Sequence, residues 1–218
     1  MHKGILIALA WPETKCKQAG AWYDRPCEKL GFSQGGYYKV GHAALLLVDK
    51  STGNCRYADF GRYHAPQGFG RVRTEDTDHD LKVFTKANID SGEIQNLDSI
   101  LIEMFENPSC HGSGEIYAAP FEVDYNLVLK AIYNLQKRDF IAYGPFVLDG
   151  TNCSRFVNSI ILAGKPDIVS KLKLKFPPML TPTPIWNLHA SRTAMISYDG
   201  REQVEVEQEY QPIFTHGL

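Results

Sequence analysis

An α+β fold, an antiparallel sheet packed against helices, is what this sequence predicts, and three observations lead there. Two short, almost unbroken apolar runs, "GILIALAW" at 4–11 and "VGHAALLLVD" at 40–49, read as strands from the middle of a sheet. The second is followed by a Lys-Ser-Thr-Gly-Asn turn and an alternating run, so the flanking strands form an antiparallel hairpin. Farther on, three segments place apolar residues at helical spacing.

The bulk numbers set the frame. With 218 residues, 44% hydrophobic and 22% charged, the composition is that of a globular protein, neither disordered nor a membrane bundle. A net charge of -2 leaves no basic footprint for nucleic acid. Cys16, Cys27, Cys55, Cys110 and Cys153 are odd in number, widely spaced and without a CxxC pair. That pattern argues for free thiols in a reducing compartment, and against a disulfide framework or a zinc knuckle. The N-terminal apolar run imitates a signal peptide but spans only about seven residues before Trp11-Pro12 interrupts it. It is therefore read as a buried strand, and the protein as cytoplasmic. No stretch approaches the ~18 apolar residues of a membrane span. No cofactor or metal is expected, oligomeric state is left open, and without a repeat or clear linker residues 1–218 are read as one domain.

The elements follow in order. Residues 12–39, rich in Gly, Cys, Tyr and charge, read as a long loop or a set of short turns. After the strand at 39–49, "CRYADFGRY" (55–63) alternates well enough to be its returning partner, and 64–80 is loop-like. Leu97, Ile100, Leu101, Met104 and Phe105 mark one face of a helix within 94–106. "GEIYAAPFEV" (114–123) reads as a strand, and Asp124 as the N-cap of a helix reaching about Arg138. A Gly- and Pro-bearing link at 139–150 leads into a helix that starts at Cys153 and ends at Gly164. "KFPPMLTPTPIW" (175–186) carries four prolines and reads as an extended, helix-free connection. The polar tail at 192–210 adds one or two strands.

The chemistry centres on "DGTNCSRFVNSIILAG" (149–164). Asn152 or Thr151 caps this helix, leaving Cys153 in the first turn, where unpaired N–H groups and the helix dipole favour a thiolate. Packing is the competing explanation, because free cysteines are among the most buried residues. The cysteine alone does not decide. A nucleophilic thiol needs a base, and His42 is the one histidine embedded in a strong strand, where an imidazole requires a partner. His64 and His189 remain alternatives. If the hairpin turns around residues 51–53, Asp59 faces a residue between Ala44 and Leu46. Opposite Ala44 it lies diagonally next to His42 on the same face, able to accept Nδ1–H and aim the other ring nitrogen at the thiol. A slip of one residue would turn it away. Tyr63 and His64 stay open as the third polar residue. Arg62, Arg71 and Arg73 are candidates to receive a substrate carboxylate, against the plainer reading of surface arginines. Trp11, Trp22 and Trp186 are candidate contact residues, with core packing as the alternative.

These segments resemble the NlpC family of papain-like cysteine peptidases. "NCSRFVNSIILAG" is similar to that family's Asp-Cys-Ser-Gly-Phe-Val nucleophile motif, with Asn152 for the Asp and Arg155 for the Gly. "VGHAALLLVD" is similar to its Gly-His-Val-Gly-Ile-Tyr strand, and Asp59 matches the polar residue of the next strand. Gly144 and Gly150 fall where the family also carries glycines before its cysteine. Two departures stand out. His42 precedes Cys153, an order similar to the circularly permuted branch, which includes lecithin retinol acyltransferase-like enzymes. The family's tyrosine twelve residues before the cysteine is Ile141 here, with Tyr143 nearby. The resemblance covers 40–63 and 141–164 and implies a permuted papain-like fold.

The function this implies is a cysteine hydrolase cleaving an amide bond in a small peptide: a cell-wall peptide, or a γ-glutamyl or isopeptide link. Cys153 is the expected nucleophile, His42 the base and Asp59 its orienter. Tyr143, Asn152, Arg62 and Trp186 are the expected oxyanion or substrate-binding residues. The alternatives are an acyltransferase or thioesterase of the lecithin retinol acyltransferase-like type, and a non-catalytic binding protein on the same fold.

Overall fold

A computed structural model describes residues 2–206 apart from 19, 32 and 39. The chain opens with β1 (Lys3–Trp11), β2 (Cys16–Lys17), α1 (Asp24–Lys29), β3 (Ser33–Gln34) and β4 (Tyr37–Tyr38). The hairpin and its extension follow as β5 (His42–Asp49), β6 (Cys55–Gly61) and β7 (Phe69–Arg73). Next come β8 (Ile89–Asp90), β9 (Glu93–Ile94), α2 (Leu97–Glu106), β10 (Ile116–Asp124) and α3 (Tyr125–Gln136). The last part holds β11 (Ile141–Ala142), α4 (Cys153–Ala163), α5 (Ile168–Lys175), α6 (Pro184–His189), β12 (Met195–Tyr198) and β13 (Gln203–Val206).

Eight strands form one sheet in the order β11-β7-β6-β5-β1-β10-β12-β13. Every neighbouring pair in it is antiparallel. β1 and β5 lie inside the sheet, which explains their unbroken apolar runs: both faces are covered. Leu6, Ala8, Ala10, Ala43, Leu45 and Leu47 pack with Val128 and Ile132 of α3, Phe156 and Ile160 of α4, and Leu188 of α6. Their alternates Ile5, Ile7, Leu9, Ala44, Leu46 and Val48 pack on the other face with Ile100, Leu101 and Met104 of α2. Strand alternation thus feeds two cores from one run of residues. The fold is the expected α+β arrangement of an antiparallel sheet against helices.

Three segments differ from expectation, and a fourth, Ile168–Lys175, had no assignment. Phe69–Arg73, expected within a loop, is β7, paired Asp59↔Arg73 and Gly61↔Arg71 with β6. Its two arginines disguised it, because their charges are neutralised only by distant carboxylates. Ile168–Lys175 is a helix capped by Asp167, whose carboxylate accepts the Val169 and Ser170 N–H groups. It buries only Ser170 and Leu174, too few positions to print a period. The proline-rich stretch is not helix-free, since α6 starts at Pro184 with Thr183 accepting the Trp186 N–H. Proline is suited to a first helical turn, where its missing N–H would have no partner. Residues 12–39, read as a loop, hold α1 and a small sheet ordered β2-β4-β3. The tail supplies β12 and β13, and residues 207–210 of that expectation lie outside the described residues. Among the described residues no helix is long and apolar enough to cross a membrane.

Candidate active site

The start of α4 follows from local chemistry. Asn152 is extended (φ -133, ψ 178) and its side-chain oxygen accepts the Arg155 N–H at 2.8 Å. That is N-cap geometry, and it makes Cys153 the first helical residue. Phe156, Val157, Ile160 and Ile161 pull the helix onto the sheet. Asn187 of α6, wholly buried, donates to the Ser154 carbonyl at 2.8 Å and accepts from Asn158 at 3.1 Å. Sequence reading missed Asn187, a polar residue in a short helix whose partners lie some thirty positions away.

The opposite side is built by three strands. His42 is the first residue of β5 and pairs with Trp11, whose ring lies 5.7 Å from the imidazole at 26°. Gly41, just before it, has φ +74, and a Cβ there would sit 2.9 Å from the Trp11 carbonyl oxygen. Only glycine takes that turn without strain. Ala44 pairs with Asp59, and Asp59 pairs with Arg73. This register sets Asp59 diagonally beside His42, with its Oδ2 3.4 Å from Nε2. The ring is turned the other way from expectation: Nε2, not Nδ1, faces the carboxylate. Among the described residues, Nε2 has no aligned hydrogen-bond partner, so the His42–Asp59 contact is one of proximity and charge. Unliganded sites commonly show such loose geometry, which tightens around a substrate.

Cys153 and His42 come from opposite faces of the sheet. Cys153 belongs to the α3–α4 core, whereas His42 shares its alternation with Ala44 and Leu46. They can meet because the β5–β6 ladder stops at Ala44–Asp59 while β6 runs on to Gly61. Past that point Ala43, next to His42, has its backbone N–H close enough to the Cys153 sulfur to favour the thiolate. Burial pushes the Cys153 thiol up. The His42 imidazole, the Ala43 N–H and the Ser154 hydroxyl outweigh it, and the thiol's pKa is lowered. Burial likewise pushes His42 down, but Asp59 and Cys153 lift it from 6.5 to about 9. Asp59, wholly buried, is pushed up by burial and drawn below the usual range by His42 and Arg73. Each of the two groups thus favours the charged form of the other.

The other candidate residues sort clearly. Tyr143 stacks on Phe60 at 5.9 Å and lies within the electrostatic reach of Cys153. Arg62 sits over the Tyr143 ring, 5.1 Å from its centroid, and donates to the Lys17 carbonyl. Asn152 is committed to capping. Trp186 joins α6 to α5, its indole N–H donating to the Lys173 carbonyl at 3.2 Å. Arg71 and Arg73 are not free to receive a substrate carboxylate: Arg71 holds Asp78 with two bonds at 2.7 and 2.6 Å, and Arg73 holds Asp59. Tyr63 lies beneath the Arg73 guanidinium, 3.5 Å away, with its ring edge-on to His42. His64 is exposed in the loop after β6, and His189 ends α6. Trp11 is buried against His42, while Trp22 is 75% exposed.

Cys153 and His42 are each only 5% exposed. Described residues of the segment 12–38 pack next to them. Its Cys16 sulfur donates to the Gly41 carbonyl at 3.5 Å, and its Tyr23 ring meets Phe146 edge-on at 5.5 Å.

The comparisons with known proteins agree with this architecture. No curated protein matches the sequence. The crystal structure of the type VI secretion system effector TseH is similar in fold, with a TM-score of 0.61 and 19% identity. The match covers 94% of this chain and 99% of that one. The family model described as type VI secretion system effector TseH-like matches residues 6–168, a span that includes His42, Asp59, Arg73 and Cys153. The chain belongs to the TseH-like family of type VI secretion system effectors.

Proposed function

We propose that this effector is a cysteine hydrolase, an amidase or peptidase, working as one catalytic domain of the permuted papain-like kind. What supports this reading is a helix-start thiol whose charged form is favoured by an imidazole that lies 3.4 Å from a buried carboxylate. The Cys153 thiolate attacks the amide carbonyl carbon, and the carbonyl electrons move onto oxygen. The Cys153 backbone N–H and the Tyr143 hydroxyl are the candidate donors to that oxyanion, where one donor is worth about 3–4 kcal/mol. His42 gives its proton to the leaving nitrogen, the C–N bond breaks, and an acyl thioester with free amine results. A water then gives a proton to His42 and attacks the thioester, and the C–S bond breaks to release the acid and restore the thiolate beside protonated His42. Asp59 holds the imidazole through both steps. Arg62, over Tyr143 at the edge of the site, is the cationic group suited to a substrate carboxylate. A cell-wall peptide, or a γ-glutamyl or isopeptide amide, is the favoured substrate class.

The test is turnover by the purified protein against muropeptides, γ-glutamyl and isopeptide amides, and acyl lipids in parallel. Amide cleavage is expected, with loss of turnover in Cys153→Ala and a fall of about 10²–10⁴-fold in His42→Ala. Action on the lipids alone would replace the amidase reading with an acyltransferase or thioesterase. Equal activity in Cys153→Ala would remove the nucleophile altogether.

A further inference from the structure

The least expected charge in the molecule is Arg73. Its side chain is 4% exposed, on a strand that carries no other buried cation, and Asp59 beside it is wholly buried. Arg73 Nε donates to Asp59 Oδ1 at 3.0 Å and Nη2 to Oδ2 at 2.6 Å. Nη2 also donates to the Ser109 carbonyl at 3.0 Å, and the guanidinium lies flat on Tyr63 at 3.5 Å. Tyr63 is in turn stacked by His111 at 4.7 Å. The guanidinium is thus held by the Ser109 carbonyl and the Tyr63 ring as well as by the carboxylate. Asp59 Oδ2 also accepts the Tyr57 hydroxyl at 3.1 Å, and the same oxygen faces His42.

We propose that Arg73 is a positioning residue for the site: its fork keeps Asp59 ionised and aimed, and through Asp59 it sets the charge on the His42–Cys153 pair. This rests on the cysteine-hydrolase reading. The physical reason is that a wholly buried carboxylate with only an imidazole for a cation tends to take up a proton instead. A neutral Asp59 no longer favours imidazolium, and the thiol loses the positive charge that draws its proton away. A bidentate guanidinium suits this task because it cannot itself deprotonate. The charged or titratable groups facing Asp59 are His42 from β5, Tyr57 from β6, Arg73 from β7, Tyr63 after β6, and Cys110 and His111 from the turn before β10. Arg73 is the only one of them with a permanent positive charge.

The experiment is the rate of iodoacetamide alkylation at Cys153 against pH, site-resolved by peptide mass mapping. The proteins are wild type, Arg73→Gln, Arg73→Lys, Asp59→Asn and the Asp59→Asn/Arg73→Gln double variant. Arg73→Gln should raise the midpoint by about one pH unit or more, which is about tenfold slower labelling on the acid side. Arg73→Lys should restore most of that shift. In the Asp59→Asn background the Arg73 change should leave the midpoint where it was, because the effect passes through Asp59. Should Arg73→Gln fail to fold, the double variant, which removes both buried charges, and Arg73→Lys still decide. An unmoved or lowered midpoint in folded Arg73→Gln overturns the proposal, as does an equal upward shift on adding it to Asp59→Asn. If instead the wild-type thiol titrates as an ordinary one, the hydrolase reading fails first.

Discussion

At Cys16, Cys55 and Cys110 burial raises the thiol, to about 12, 11 and 12. At Cys153, also buried, the sign reverses because the His42 imidazole, with the Ala43 N–H and the Ser154 hydroxyl, outweighs burial. The carboxylate behind the imidazole obeys the same balance. Since the folded pKa of Asp59 is depressed, the stability it contributes is present above its unfolded value of about 3.9 and is lost as pH falls through the folded one. Urea unfolding of Asp59→Asn from about pH 5 to pH 3 should therefore lose stability less steeply than wild type. Identical slopes would mean that Asp59 is not held ionised in the native state. Of this residue-scale picture the sequence exposed the thiol, the imidazole and the carboxylate, since each is a polar residue where an apolar one is expected. It did not expose which ring nitrogen faces Asp59, because nothing local fixes a ring flip. Nor did it expose the true partner of Arg73, which is a cross-strand neighbour and not a ligand.

At the scale of elements, two features deliver the groups to each other: the cap that starts α4 at Cys153 and the ladder that stops at Ala44–Asp59. The cap carries a prediction. Asn152→Ala should cost about 1 kcal/mol, read as a lower melting temperature, and should slow Cys153 alkylation as the first turn frays, while Asn152→Asp keeps both. Loss of stability with Asp as large as with Ala would show that Asn152 acts otherwise. Elements were legible where one period dominates, as in α2, α3 and α4, or where the run is unbrokenly apolar, as in β1 and β5. They were hidden where tertiary partners supply the stability: β7 needs carboxylates on other segments, and α5 has two buried side chains. In α6 the proline that argues against a helix sits in the first turn, where it does no harm.

Across the whole molecule, the sheet is covered on both faces, and His42 and Cys153 interact beyond the end of the β5–β6 ladder. The two are more than a hundred residues apart in sequence, so their meeting is a property of topology and not of any local motif. That is why periodicity could establish the strands and helices, whereas bringing the thiol to the imidazole rested on a resemblance. The segment 12–38 had no pattern to read because its pieces are one short helix and three two-residue strands, one of them held by the Arg62 side chain from elsewhere. One measurement bears on all of this: site-resolved iodoacetamide labelling of Cys153 between about pH 5 and pH 8 in wild type and His42→Ala. The account predicts labelling with a midpoint well below the ~8.5 of a free thiol in wild type, and a return toward that value in His42→Ala. A wild-type midpoint at the free-thiol value, or one indifferent to His42, would contradict it.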